Sequence, residues 1–385
     1  MIRDTDQLDR LLEDIRNFVR ERWHPLEEEV SRANDIPPEV VDELRRKGYF
    51  GWSIPQAYGG LGLTTEELVL CAMELSQSSV ALRARVGTNT GIGSEALVAD
   101  GTEAQKQRWL PRLASGELTG CLALTEPEAG SEASALQTTA RREGDFYVLN
   151  GSKRFITNAP VADLFTVIAR TEDGSRGSQG LSAFVVERSP GLSTGEPYRM
   201  MGQAGSFVSD VRFDNCRVPA DQLIGGQEGM GFRTVMKVLN KQRLHLAALC
   251  TGPAIRMLDL AMQHVQGRRQ FGQPVAEFQL VQALIADCRT EIYAARSMVL
   301  EAARARDRGE DVALSASMCK YFASEMCGRV ADRAVQMFGG SGYVADFSPI
   351  ERYYRDVRPF RLYEGTSQIH QLNIAKLALR EGVQR

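Results

Sequence analysis

The chain has 385 residues, 25% of them charged, with a formal net charge of −3. That length exceeds one ordinary compact core, so two or three packed lobes able to bury a cofactor are expected, and the balanced charge excludes a field that would draw nucleic acid or an anionic membrane. Seven cysteines without a close CxxC pair and four histidines outside HExxH spacing exclude a thiol redox motif and a metal site, and read as free thiols of a reducing, cytoplasmic compartment.

The first twenty residues alternate acids and bases around Leu8, Leu11, Leu12, Ile15 and Val19, which predicts an amphipathic surface helix rather than a secretory or transit segment. No run of about 18 apolar residues exists, so no membrane span is expected. From Asp6 to about Leu118 the pattern is helical. Pro37 and Pro38 open a helix through Val40, Val41 and Leu44 that Gly48 stops. The glycine loop Ile54–Leu63 lacks a phosphate-loop motif and leads to Thr64, a cap with Glu67 three residues on. Residues 76–95, SQSSVALRARVGTNTGIGSE, predict one helix with small and polar residues where leucines would be usual, suited to packing against a ligand. Arg83 and Arg85 sit in its middle, where a solvated face is the default.

Composition shifts near Gly120 to short β-rich runs: Cys121–Leu124, Phe146–Leu149, Lys153–Thr157, Leu164–Ala169, Ser182–Val186 and Val208–Phe213. Asn150-Gly151 predicts a type I′ hairpin, since both residues tolerate positive φ, and the spacing suggests a small antiparallel barrel or sandwich. Long helices return at Phe232–Gln266, Val275–Arg308 and Leu314–Phe338, and read as an antiparallel bundle closed by the segment from Glu351. The layout is helices, sheet, helices, with domains expected at 1–118, 119–228 and 229–385.

Several fragments carry chemistry. On the helix Phe232–Cys250, Arg243 falls on the apolar stripe, where a guanidinium must pair with a core acid, snorkel or meet a ligand. GRRQFG (267–272) offers arginine forks for pyrophosphate beside a stacking ring, or a basic helix end. MFGGSGY (337–343) could admit phosphate to backbone amides, or stop a helix. TEPEAGSE (125–132) presents hydroxyls and loop amides, while Phe155 and Thr157 take alternate positions on one strand face. RLYEGTSQIHQ (361–371) sets a single carboxylate, Glu364, beside Gly365: a general base free to swing, or a helix entry with Thr366 as cap before Ile369, Leu372 and Leu377.

LTEPEAGSE, GSKRFITN, RRQFG, QMFGGSGY and LYEGTSQ, in this order over essentially the whole chain, resemble the acyl-CoA dehydrogenase family. The resemblance implies a mainly α fold with a central β-domain: an N-terminal helical domain, a middle antiparallel β-barrel or sandwich, and a C-terminal four-helix bundle, assembled as a homotetramer. It implies FAD as cofactor without a Rossmann fingerprint, fitting the absence of GxGxxG between strand and helix. Glu364 is similar to the base that removes the α-proton of an acyl-CoA thioester while flavin N5 accepts hydride from the β-carbon, giving a trans-2-enoyl-CoA. The developing negative charge on the thioester oxygen then falls to the N–H of Glu364 and a ribityl hydroxyl.

The same resemblance assigns Leu122, Leu124, Thr125, Ser131, Phe155 and Thr157 to the flavin wall, with Phe155 where tryptophan is more common. It assigns Arg268, Phe271, Gln279, Gln336 and Gly340 to the FAD pyrophosphate and adenosine across a subunit boundary, with Thr366 and Gln368 extending that site. Ser131, Asn240, Arg243, Tyr363 and Gly365 are implied CoA or acyl contacts. Some members place the base immediately before the arginine that matches Arg243; Gln242 stands there and cannot take a proton. Arg83 aligns with the arginine that reads the distal carboxylate in glutaryl-CoA dehydrogenase. The implied electron acceptor is electron-transferring flavoprotein. A flavin oxidase, a decarboxylating dehydrogenase, a monooxygenase and a non-catalytic scaffold are the alternatives on the same fold.

Overall fold

The computed structural model describes residues 1–172, 174 and 177–383. The N-terminal region folds as α1 (Thr5–Asn17), α2 (Glu27–Ala33), α3 (Pro38–Arg46), α4 (Thr65–Leu75), α5 (Val80–Gly87), α6 (Glu95–Asp100) and α7 (Glu103–Ala114). Local chemistry sets their ends as expected. α3 starts at Pro38 and stops before Gly48 at φ +71, and Thr64 and Glu67 form a reciprocal capping box on α4.

The single helix expected over residues 76–95 is a correction. Only Val80–Gly87 is helical there, followed by a turn to α6. Buried Asn89 has better partners than a helix ladder offers: its Nδ2 donates to the carbonyls of Leu113 (2.9 Å) and Leu118 (2.7 Å), and its Oδ1 accepts from Gly120 N–H (2.9 Å). These bonds fasten the end of the helical region to the first strand.

The strands are β1 (Gly120–Ala123), β2 (Thr139–Glu143), β3 (Phe146–Thr157), β4 (Leu164–Arg170), β5 (Leu181–Glu187), β6 (Leu192–Thr194) and β7 (Val208–Pro219). They form one curled seven-stranded sheet. It is mixed rather than antiparallel. β4 carries β1 and β2 in parallel on one edge and β5 antiparallel on the other. The β2–β3 pair intervenes between β1 and β4, giving the long connection that a parallel pair needs. The Asn150-Gly151 hairpin is also corrected. β3 runs straight through those residues with a register shift between Leu149 and Gly151, and the turn lies at Gly144-Asp145, Gly144 having φ +62. Tolerance of unusual φ marks a bulge as well as a turn, and here it marks the bulge.

The C-terminal region comprises α8 (Gly231–Gly267), the short hairpin β8 (Arg269–Gln270) and β9 (Gln273–Pro274), α9 (Gln279–Asp307), α10 (Ala313–Phe338), α11 (Ile350–Val357) and α12 (Ser367–Val383). The expected helix from Val275 begins four residues later because 275–277 form a 3₁₀ turn after the hairpin. Alanines 247, 254, 261, 302, 316, 323, 331 and 334 fill much of the bundle core, so the helices approach closely. The closest approach is between α4 and α8, where a Cβ on Gly252 would fall 2.1 Å from Ser76 Oγ.

Buried polar groups lock the regions together. Glu27 accepts from Ser79 N–H (2.6 Å), Arg352 (3.0 Å) and Tyr353 Oη (3.1 Å), joining α2, the start of α5 and α11. Fully buried Lys153 donates to Glu126 (2.8 Å), the Leu124 carbonyl (3.1 Å) and the Ile168 carbonyl (2.6 Å), while Glu126 accepts the N–H groups of Gln137 and Thr138. Burial pulls the Lys153 pKa down to about 8 against the opposing pull of Glu126. Replacing Lys153 with Met leaves Glu126 buried without its cation. The expected cost is about 3–5 kcal/mol, measured as a lower Tm, with the double variant Lys153→Met/Glu126→Gln losing less than Lys153→Met alone.

Candidate active site

Glu364 lies in the link between α11 and α12, where consecutive residues take left-handed backbone, Glu364 at φ +55 and Gly365 at φ +92. A non-glycine residue in that region stores strain of about 1–3 kcal/mol that its surroundings must hold. The helix-entry reading of this stretch holds, and it leaves room for the other. Thr366 does cap α12, its Oγ1 accepting from Ile369 N–H at 3.2 Å, and the kink that starts the helix turns Glu364 inward. Its Oε2 is buried without a hydrogen-bond partner.

Burial raises the Glu364 pKa to about 7, against the opposing fields of Arg83, Lys320 and Arg243. Arg83 projects from α5 and Arg243 from α8, bringing two predicted residues to the predicted base. Arg83 runs back over its own helix: a Cβ on Gly87 would fall 3.1 Å from its Nε, so the bare glycine makes room for the guanidinium. Arg243 is buried and donates to Asn240 at 2.7 Å, a partner the sequence also singled out. The Nε atoms of Arg83 and Arg243 and the Nε2 of Gln242 are, like Glu364 Oε2, buried and unpartnered. Native interiors rarely leave such atoms unpaired, so their concentration around one carboxyl marks a place for a polar ligand.

The flavin-wall residues also converge. Arg154 N–H donates to the Thr125 carbonyl at 2.7 Å, and Lys153 holds the Leu124 carbonyl, so the ends of β1 and β3 lie side by side. Leu122, Leu124, Thr125 and Thr157 are half-buried, and Phe155 is 63% exposed. Phe155 reaches its outward position through a bulge at φ +59 and leans on Tyr198, ring centroids 5.6 Å apart. Asn158, directly after β3, donates to the Ala84 carbonyl and to Thr88 Oγ1, both at 2.9 Å, which ties the Thr157 end of the sheet to the helix of Arg83. Ser131 is exposed in the loop beyond.

A second group stays apart. Arg268, Phe271, Gln279, Gln336 and Gly340 are exposed, Phe271 at 93%. They cluster where α8 meets α10, joined by stacking of His264 on Phe338 at 4.1 Å. Phe271 and Gly272 form the tight turn of β8–β9 at φ +52 and +82. Among the described residues no hydrogen bond or ion pair connects this group to the Glu364 cluster. The two groups suit the two ends of FAD: half-buried strand ends and an exposed ring for a flat heterocycle, and an arginine with open glycines for pyrophosphate, a Cβ on Gly339 or Gly340 meeting nothing within 4 Å. Thr366 and Gln368 sit at the start of α12, Thr366 half-buried and Gln368 exposed.

Some residues at the site escaped the sequence reading. Gln203, at φ +61, donates its Nε2 to the Asp356 carbonyl at 2.9 Å beneath Tyr363. His245 is buried beside Gln242, and burial with Arg83 and Lys241 drives its pKa down to about 3. Lys320 and His370 are fully buried next to the Glu364-Gly365 backbone. Lys320 had a legible signal: it shares a helical stripe with Ala316, Ala323 and Cys327, a lysine on a small-residue face. A separate cavity of 540 Å³ beside α1 and α8, lined by Arg16, Arg20, His24, Glu74, Arg256 and Asp259, contains none of these residues.

Comparison with known proteins places the chain. It matches the family descriptions "Acyl-CoA dehydrogenase, N-terminal domain" over residues 5–117, "middle domain" over 121–216 and "C-terminal domain" over 229–379. It is 39% identical over 378 residues to a 3-(aryl)acrylate reductase of Clostridium sporogenes, covering 98% of this chain and 99% of that one. It superposes on a chain from a structure described as "Electron transferring flavoprotein of Acidaminococcus fermentans: Towards a mechanism of flavin-based electron bifurcation" with TM-score 0.94, 36% identity and coverage of 99% and 100%. It superposes on glutaryl-coenzyme A dehydrogenase in complex with glutaryl-CoA with TM-score 0.92, 34% identity and coverage of 98% and 96%.

Gly365 is poorly able to change. Any side chain there meets an unfavourable φ and a His370 Nε2 only 3.0 Å from its Cβ. Gly365→Ala is expected to cost about 1–3 kcal/mol, seen as a lower Tm, with turnover falling further than the lost stability explains.

Proposed function

The chain belongs to the acyl-CoA dehydrogenase family of FAD-dependent oxidoreductases, and on that premise we propose that Glu364 is the base that moves the α-proton of an acyl-CoA thioester in its α,β-dehydrogenation to a trans-2-enoyl-CoA. The observation that carries this reading is the buried, unpartnered Glu364 Oε2 with a pKa near 7. A base works best with a pKa near the operating pH, and displacement of water by an acyl chain would raise it further, toward that of the activated α-carbon. Bound FAD supplies the acceptor for the hydride that leaves the β-carbon. Arg83, Lys320 and Arg243 keep enough positive field nearby to let Glu364 ionise. Gln242, at the alternative base position, can only donate or accept a hydrogen bond.

Glu364 works in either direction: ionised it takes the α-proton, and protonated it returns it to an enoyl thioester. Direction is then set by the electron partner, which we take to be an electron-transferring flavoprotein, in keeping with the flavoprotein structure on which the chain superposes. A lone base of this kind speaks against a flavin monooxygenase, which does not need it. The exposed Arg268, Phe271, Gln279, Gln336 and Gly340 support a homotetramer in which a neighbouring subunit completes the nucleotide end of the site. Seven buried free cysteines support a cytoplasmic location.

One observation favours a narrower substrate class. Around Glu364 stand three cations, and Arg83 has a buried Nε with no partner and forms no ion pair among the described residues. An acyl group ending in a carboxylate would neutralise that excess, as a straight alkyl chain would not. The 34% identical glutaryl-CoA dehydrogenase is consistent with this reading.

Glu364→Gln is expected to stay yellow and to bind acyl-CoA while losing turnover by several orders of magnitude. In the wild type kcat/KM should rise with pH through about 7, because the reactive form is the ionised carboxylate and its pKa stands above the ordinary range; an acid limb near pH 4.5 would show a solvated carboxylate instead. Arg83→Ala is expected to lose glutaryl-CoA turnover selectively while sparing butyryl- or hexanoyl-CoA. Equal losses on both would end the dicarboxylate reading.

A further inference from the structure

We infer that Lys320 and His370 are positioning residues for the base: together they grip both carbonyls of the Glu364-Gly365 dipeptide and hold it in its left-handed conformation. The inference rests on Glu364 being the proton-transfer group.

The dipeptide has two consecutive positive φ angles, and neither α11 nor α12 includes it. Left alone, that backbone would relax toward the right-handed or extended region and carry the carboxyl with it. Two side chains from different helices meet it. Lys320, from the middle of α10, donates its Nζ to the Gly365 carbonyl. His370, one turn into α12, lies with Nε2 3.2 Å from the Glu364 carbonyl. A carbonyl only accepts, so Nε2 carries the proton; burial and the nearby cations bring the His370 pKa down to about 4, which keeps the ring neutral and leaves Nδ1 bare.

A structural lysine buried in a bundle is normally paired with a carboxylate, because an unpaired buried ammonium is very costly. Lys320 is fully buried and its hydrogen bond goes to a carbonyl rather than an acid. Burial lowers its pKa, and the groups that oppose this are the Cys250 thiol and the carboxylic acids Glu364 and Glu325. Glu325 is already engaged by Arg361 (3.4 Å) and by Ser367 (2.5 Å), which leaves Glu364 as the acid without a partner. The arrangement places an ammonium behind the backbone of the base rather than against its carboxylate. The base keeps its lone pairs free and still feels the positive charge. Gly365 is part of the device: without a Cβ it lets the His370 ring pack 3.0 Å from where one would stand.

The groups facing the Glu364 carboxyl are Arg83 from α5, Arg243 and the Cys250 thiol from α8, Lys320 from α10 and Tyr363 beside it. Of these Lys320 alone touches the backbone of the dipeptide. The test uses the FAD-loaded enzyme and five variants: Lys320→Met removes charge and donor, Lys320→Gln keeps a donor without charge, His370→Phe keeps the ring packing without Nε2, Lys320→Met/His370→Phe combines two of these, and Glu364→Gln is the control. Loosening the base by about an ångström predicts kcat losses of about 10²-fold in Lys320→Met and His370→Phe with KM little changed. The double variant should lose far less than the product of the singles, since both grip one dipeptide. The acid limb of the pH profile should move to higher pH in both Lys320 variants, where the positive field is gone, and stay in place in His370→Phe, where a neutral ring was removed. Lys320→Gln should recover part of kcat without recovering the limb.

Wild-type kcat in folded Lys320→Met or His370→Phe overturns the inference, and so does an unmoved limb in both Lys320 variants. Should Lys320→Met fail to fold, Lys320→Gln and His370→Phe decide the matter alone. If Glu364→Gln turns over like the wild type, the base assignment itself falls; if it is inactive while the other variants are unimpaired, only the positioning role does.

Discussion

The structure turns on a carboxyl group that is taken out of water and given no hydrogen-bond partner of its own. Burial alone would favour the protonated carboxyl, and a contacting cation would leave it ionised but with its lone pairs occupied. The fold avoids both outcomes by surrounding the carboxyl with positive charge that does not touch it. Arg83 lies over Gly87, Arg243 turns to Asn240, and Lys320 turns to a backbone carbonyl. The pKa of about 7 is the resultant of these opposed effects, with desolvation the largest. That balance requires side chains from three helices.

Holding three helices in register around an unpartnered charge demands rigidity elsewhere, and the buried polar locks supply it. Glu27 ties α2, α5 and α11 at a point where each would otherwise move independently, and Asn158 fixes the last turn of β3 to α5. The Lys153–Glu126 pair does the same for the strand ends that form the predicted flavin wall. Each lock rests on several hydrogen bonds to one buried side chain. Unpartnered buried atoms of Arg83, Arg243 and Glu364 itself lie together at this site, where a ligand can meet them.

Much of this was legible from residue order. Periodicity gave the three long helices to within a few residues, caps gave α3 and α4, and the motif series gave the family. The misreadings share a cause. Asn150-Gly151 and residues 88–95 were assigned from local tolerance, the former to a turn and the latter to a helix, and in both places a distant partner decided otherwise: the β7 register across the bulge, and the carbonyls of Leu113 and Leu118 for Asn89. Parallel pairing of β1 with β4 has no signature in a four-residue strand. The partners of Lys320 and His370 could not be read because they are carbonyls, and a backbone atom leaves no letter in the sequence to pair with; only the small-residue stripe around Lys320 hinted at it.

The two ends of the cofactor site differ in the same physical sense. The end near Glu364 is assembled within one chain, from half-buried strand termini whose backbone is already hydrogen-bonded. The other end is a set of side chains standing in solvent, with Phe271 almost fully exposed at the tip of a tight hairpin. An aromatic ring so placed gains nothing for the isolated chain, since its apolar surface stays in water; its stabilisation arrives only when something covers it. Whatever covers this exposed group acts at a place separate from the contacts around Glu364, which are internal to a single chain.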